Sequence, residues 1–169
     1  MKYVDKFLDN HLLQRIRNDI LDEHSTNWFC VKDISGRGIE KDCYFIHMLY
    51  DTEMNSNKML VPVEDPCSPK YWIVDVLKEA IGAENLIRVK ANLYPRTDIL
   101  VSHKPHKDYA FDHKAALLSL NTCDGHTNVD GTEVASVKNR MLFFDPQVMH
   151  NSTNCTDQQF RINININYV

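Results

Sequence analysis

Arg161-Ile162-Asn163-Ile164-Asn165-Ile166-Asn167-Tyr168-Val169 ends the sequence in strict alternation. Successive side chains of an extended strand point to opposite faces. Arg161, Asn163, Asn165 and Asn167 therefore share one face, and Ile162, Ile164 and Ile166 share the other. Helical spacing would scatter both sets around a cylinder. The stretch predicts a strand whose apolar face needs cover and whose polar face can aim a guanidinium at a carboxylate.

Working outward, the preceding half of the chain is strand-like as well. Leu86–Tyr94 alternates, with Arg88, Lys90, Asn92 and Tyr94 on one face and Ile87, Val89, Ala91 and Leu93 on the other. Further strands are expected at 99–103, 114–122, 132–137, 140–145 and 160–169, separated by turn signals at Asp124-Gly125, Asp130-Gly131, Lys138-Asn139 and Asp145-Pro146. The first half carries the helices. After a short strand at 3–4, Asp9 can cap a helix with Leu12, Leu13, Ile16, Ile20 and Leu21 at helical spacing. A second helix is expected from Ser68 as cap and Pro69 in the first turn to Gly82, with Trp72, Ile73, Val76, Leu77, Ala80 and Ile81 on its apolar side. Between them, Asn27–Asp33 and Cys43–Asp51 read as strands flanking a Gly36/Gly38 turn, and 52–67, with Pro62 and Pro66, as a loop. Helices first and short strands after give an α+β chain with helices packed on one face of a β-sandwich. The two helical stripes supply the cover that the isoleucine face requires.

Composition sets the class. With 169 residues, 43% hydrophobic and 25% charged, a single globular domain over 1–169 is expected. No window matches a transmembrane helix, and the N-terminus has no signal-peptide core. A net charge of −4 gives no general pull towards nucleic acid or anionic membrane, although Lys104, Lys107 and Lys114 form a locally basic rim. Cys30, Cys43, Cys67, Cys123 and Cys155 are odd in number and none forms Cys-x-x-Cys. They fit free thiols in a reducing cytoplasm better than a zinc finger or a disulfide framework.

The chemistry-bearing residues are His106, Asp108, His150 and Arg161, in that order. Two imidazoles and one carboxylate are the ligand set of mononuclear non-haem Fe(II) oxygenases, which leaves positions open for substrates. Extended backbone at His106 and Asp108 would put both on one face, and His150 must come from another strand. Each has a plainer explanation when taken singly. A His-x-acid pair arises about once by chance in this composition. His106 and Asp108 can be solvated loop residues, His150 a turn residue and Arg161 half of a surface ion pair. His103 is a rival ligand without an acid two residues on, and His11, His24, His47, His113 and His126 read as ordinary histidines.

In ordered combination the motifs resemble a family. Asn92-Leu-Tyr94-Pro95, His106-Lys-Asp108, Leu118-Ser-Leu-Asn121, Gly131-Thr-Glu133, Arg140-Met-Leu-Phe-Phe144, His150 and Arg161-Ile-Asn-Ile-Asn look like the core of Fe(II)/2-oxoglutarate-dependent dioxygenases. The branch is the one similar to prolyl 4-hydroxylases, which includes small bacteriophage members. The resemblance covers Arg88 to Val169, about half the chain. It implies a double-stranded β-helix (jelly-roll or cupin-like) core with the N-terminal helices on one sheet. It also implies His106, Asp108 and His150 as iron ligands, Arg161 on the distal carboxylate of 2-oxoglutarate, and Tyr94 and Asn92 in the cosubstrate pocket. Fe(II), 2-oxoglutarate and O2 are the implied cofactors, with ascorbate as a reductant. The chain departs from the pattern at Gly131-Thr132, where the family often has two glycines. It has Arg161 where collagen-type members often have lysine.

The implied reaction is hydroxylation of a C–H bond with release of succinate and CO2. A peptidyl proline or other protein side chain is the first expectation for substrate, and a free amino acid or small metabolite the second. Nucleic acid ranks behind both on charge. A non-catalytic β-barrel that binds a metal or a small acid is the reading from another class. The loops at 34–42 and 52–67 are candidate lids. A phage-encoded protein would work in its host's cytoplasm.

Overall fold

The computed structural model describes residues 1–32, 43–52, 68 and 70–169. The Gly36/Gly38 turn, the 52–67 loop beyond Thr52, Cys67 and Pro69 lie outside the described residues. Strand β1 (Lys2–Val4) precedes helix α1 (Asn10–Ile20), strands β2 (Phe29–Lys32) and β3 (Cys43–Asp51), and helix α2 (Trp72–Ile81). Seven strands follow: β4 (Leu86–Pro95), β5 (Lys114–Ser119), β6 (His126–Val129), β7 (Thr132–Ala135), β8 (Met141–Phe144), β9 (His150–Ser152) and β10 (Phe160–Tyr168). They form a seven-stranded antiparallel sheet in the order β1-β8-β5-β10-β4-β3-β2 and a three-stranded sheet β7-β6-β9.

The terminal strand is central, as its alternation requires. β10 pairs with β4 on one side, Arg161 opposite Tyr94, and with β5 on the other. Ile162, Ile164 and Ile166 are fully buried, and they pack with Leu13, Ile16 and Ile20 of α1 and Ile73, Val74 and Leu77 of α2. Asp9 caps α1 by accepting from the N–H groups of His11 (2.8 Å) and Leu12 (3.3 Å). Gly82 ends α2 at φ 66°. The start of α2 differs from expectation. The helix begins at Trp72, and Ser68 instead sets a preceding turn, its Oγ accepting from the Lys70 N–H (3.1 Å) and its carbonyl from Tyr71 (2.8 Å). Lys70 and Trp72 then tie α2 to α1, the Lys70 ammonium on the Asp19 carbonyl and the Trp72 indole on the Asp19 carboxylate (2.9 Å).

The small sheet covers the other face of the large one. Val129 and Val134 pack on Ala115, Leu117, Leu142 and Phe144. Strands β5 and β8 are thus buried on both faces, which is why they read as near-continuous apolar runs. β6 and β7 form a hairpin through Asp130 (φ 51°) and Gly131 (φ 80°), the left-handed pair that an Asp-Gly turn supplies. The expected strand at 99–103 reduces to a single bridge, Ser102 to Thr153. The expected strand at 114–122 stops at Ser119, because Asn121 takes over with its side chain. Its amide accepts from the Ile162 N–H (2.9 Å) and donates to the Phe160 carbonyl (2.7 Å). No helix among the described residues is long and apolar enough to cross a membrane.

Candidate metal centre

Between the two sheets lies a cavity of about 440 Å³. Lys90, Asn92, Tyr94, Leu117, Asn163 and Asn165 line it from the large sheet, and Thr127, His150, Asn151 and Ser152 from the small one. The 103–108 segment closes one side with His103, Lys104, Pro105, His106 and Asp108.

His106, Asp108 and His150 each turn one ligand atom to a common point, all within 4.8 Å of one another. The backbone achieves this without the extended run expected at 106–108. His106 and His150 form an isolated antiparallel bridge, each donating its N–H to the other's carbonyl (2.9 and 3.0 Å). That bridge sets the two rings 4.6 Å apart. Asp108 is pinned separately, its N–H on the Pro146 carbonyl (3.4 Å). The Asp108 Oδ1 lies 3.8 Å from His106 Nε2 and 3.7 Å from His150 Nε2. Each Nδ1 faces a carbonyl, of Lys104 (3.2 Å) or Val148 (3.0 Å), so each Nδ1 carries the proton and each Nε2 presents a lone pair. His150 Nε2 is buried and has no hydrogen-bond partner. A buried acceptor left without a donor is costly, and a metal ion at the common point would satisfy it.

The carboxylate is prepared for the same role. Asn167 donates to Asp108 Oδ2 (2.7 Å), and the Arg88 guanidinium lies 3.6 Å from Oδ1. Burial alone would raise the Asp108 carboxyl. The His150 imidazole, the Arg88 charge and the Asn167 amide outweigh it and hold the group well below the ordinary carboxylate range. Burial, with His150 beside it, pushes the His106 imidazole below its usual value, which keeps it neutral and able to ligate. Arg88 and Asn167 were expected on these strand faces but without a role. Only the pairing of β10 with β4, and the loop laid across them, shows what they hold.

Arg161 is 1% exposed. Its guanidinium donates to the Thr153 carbonyl (2.8 Å) and to Thr127 Oγ1 (2.7 Å), and stands 5.6 Å from the centre of the Tyr94 ring. Its Nε has no partner, and among the described residues no carboxylate pairs with it. It stands one layer behind the cavity wall, where Thr127 and Tyr94 separate it from the open space. Asn92 and Tyr94 line the cavity; Asn92 donates to Asn163 (2.9 Å), and burial raises the Tyr94 hydroxyl. His103 is outside the three-residue cluster but on the cavity wall, against Tyr94 (5.0 Å) and Ser152 (3.0 Å). Among the described residues, none of His11, His24, His47, His113 or His126 joins a metal-binding group; His47, for example, spans the Asn27 carbonyl and Ser68.

No family model matches this sequence, and no curated protein matches it. Solved structures do match. A 2-oxoglutarate–Fe(II) oxygenase-family oxidoreductase from Burkholderia pseudomallei aligns with a TM-score of 0.65 at 13% identity, over 98% of this chain and 82% of that one. The chain has the fold of the 2-oxoglutarate–Fe(II) oxygenases. Within that fold, a prolyl hydroxylase from Trichoplax adhaerens, solved with a hypoxia-inducible-factor peptide, aligns with a TM-score of 0.62 at 12% identity, over 99% and 82% of the two chains. The epimerase SnoN of nogalamycin biosynthesis, solved with Fe3+, α-ketoglutarate and a nogalamycin compound, aligns with a TM-score of 0.58 at 14% identity, over 99% and 77%. Oxygenase-fold proteins thus accommodate both a peptide and a small molecule, and likeness of fold does not choose between them.

Proposed function

We propose that the chain is an Fe(II)- and 2-oxoglutarate-dependent dioxygenase that hydroxylates a C–H bond, releasing succinate and CO2. The observation that carries this reading is the pairing of two unmet needs, one on the cavity wall and one in the layer behind it. A buried His150 Nε2 lacks a donor beside Asp108 and His106, and a buried Arg161 lacks an anion. An enzyme of this class needs a metal at the first and a dicarboxylate near the second.

His106, Asp108 and His150 would hold the iron, with Asn167 and Arg88 fixing the carboxylate and the Lys104 and Val148 carbonyls fixing the ring tautomers. The bound metal supplies the activation of O2 that couples decarboxylation of 2-oxoglutarate to attack on the C–H bond. Arg161 would supply the charge for the distal carboxylate, with Tyr94 and Thr127 as the hydroxyl-bearing residues between it and the cavity. Asn92 would line the same pocket. Burial under the two sheets keeps water from the far end, while His106, with 56% of its side chain exposed, sits at the open side where substrate arrives. An open mouth suits a side chain of a protein or peptide, our first assignment of substrate; a free amino acid or small metabolite is the alternative.

Adding 2-oxoglutarate to the anaerobic Fe(II) protein tests the reading. A weak visible absorption band should appear, and admitting O2 with ascorbate should yield succinate even without prime substrate. A protein that takes up Fe(II) yet shows neither would be a metal-binding β-barrel protein instead.

A further inference from the structure

Lys90 projects from the middle of β4 into the cavity, opposite Asn165 of β10 and Met48 of β3. Its neighbours on the same face are committed. Arg88 bonds Asn167 (2.9 Å) and flanks Asp108, and Asn92 bonds Asn163. Lys90 has neither a hydrogen bond nor a salt bridge among the described residues. The contrast with Lys70 is instructive. That lysine is buried where Lys90 is half-buried, and the Lys70 ammonium is spent on the Asp19 carbonyl and Ser25 Oγ (2.8 Å), as a structural lysine's should be.

The charges of the cavity point to what Lys90 lacks. Among the described residues, its lining carries three lysines, Lys32, Lys90 and Lys104, and one acid, Asp108. On the proposed function, a divalent metal, the Asp108 carboxylate, a dicarboxylate cosubstrate and the Arg161 guanidinium cancel one another. The lysines remain over, and all have one sign. Lys90 and Arg161 also lie at different stations of the same ladder. Arg161 faces Tyr94 and Asn165 faces Lys90, four residues along the strand or roughly 13 Å.

Resting on that functional reading, we infer that Lys90 is a substrate-binding residue and that the prime substrate carries an acidic group, a carboxylate or phosphate, which Lys90 receives beside the metal centre. Lys104, on the exposed side of the cavity, would draw the same group inward. Burial, and Arg88 next to it, lower the Lys90 ammonium to about 7 against the pull of Asp108 and Asp51. An arriving acid would restore the charge that burial disfavours, so ligand and lysine would stabilise each other.

The test uses the whole protein loaded anaerobically with Fe(II) and saturating 2-oxoglutarate. Its visible band is followed while matched acids and primary amides are added: free amino acids, phosphorylated and plain short peptides, and peptides differing only by Glu against Gln. Acidic members should perturb the band at least tenfold more tightly than their neutral partners. K90Q should abolish that preference and K90R should retain it. Affinity for 2-oxoglutarate itself should change less than threefold in K90Q. A panel in which no acid outbinds its neutral partner overturns the inference, whether the neutral members bind equally or nothing binds. So does a K90Q protein whose 2-oxoglutarate affinity collapses, because Lys90 then serves the cosubstrate. If the wild-type band never forms, the oxygenase reading itself has failed. Calorimetric titration of the same pairs into metal-free wild type and K90Q then decides Lys90 on its own.

Discussion

Asp108 is held by two groups before any metal arrives. Asn167, fully buried, fixes Oδ2, and Arg88 stands against Oδ1. Outer partners of this kind typically govern metal affinity by about tenfold to a hundredfold. Asn167→Leu should weaken Fe(II) or Mn(II) binding by that amount while leaving the far-ultraviolet spectrum unchanged; unaltered affinity in a metal titration would make Asn167 a packing residue only. His106→Ala and His150→Ala should each abolish the Fe(II)–2-oxoglutarate band, whereas His103→Ala, outside the cluster, should retain it. Loss in all three alike would mean that the cavity, not the triad, is being disturbed. Arg161→Leu should keep metal and weaken 2-oxoglutarate binding by roughly a hundredfold or more, at about 1.4 kcal/mol per tenfold. Tyr94→Phe removes one neutral hydroxyl and should cost about tenfold or less. If Arg161→Leu binds 2-oxoglutarate like the wild type, its bonds to Thr153 and Thr127 are its whole purpose.

At the scale of elements, β10 carries the strongest constraint and was the most legible. A period of two over Arg161–Asn167 leaves one assignment of faces, and the isoleucines lie under both helices. Ile164→Asp would bury an unpaired carboxylate there, at a cost of several kcal/mol, comparable with the margin of a whole domain. It should fail to fold. Asn165→Asp, opposite Lys90, gains a cation and should melt near the wild type. Equal melting temperatures for the two would reverse the faces. β6 and β9 were not legible, for a physical reason. His126-Thr-Asn-Val129 and His150-Asn-Ser152 are short, with few β-favouring residues, and are strands because they pair with each other. The candidate ligands were legible as a set, from order and type. Their meeting was not, since it rests on one bridge between His106 and His150 and on a turn that holds Asp108. Cys123 and Cys155 likewise seemed scattered, yet their buried thiols come together beside Asp157.

Across the whole molecule, distant segments are clamped where the chain would otherwise fray. Asp5 accepts from Nε and Nη2 of Arg140 (2.6 and 2.9 Å), and Asn139 bonds the Leu8 N–H and carbonyl in both directions (2.9 and 2.7 Å). The cavity is the opposite case: Asn163 Nδ2 and Asn165 Oδ1 are buried without partners on one strand, and the half-buried Lys90 faces Asn165 from the next. A protein that keeps such groups gives up stability for binding. Lys90 makes this measurable through pH. Its ammonium titrates at about 7 in the folded protein, against about 10.4 for an ordinary lysine in the unfolded chain. Between those values the unfolded chain binds the extra proton, so stability rises with pH across that window, and the penalty is complete below about 7. Lys90→Met removes the titrating group. Its melting temperature should exceed that of the wild type at pH 6, and the gap should shrink as the pH approaches 10. An equal gap at both ends would assign the gain to packing of the methionine. A lower melting temperature at pH 6 would show that the charge of Lys90 already stabilises the empty protein, and that its partner is within the chain.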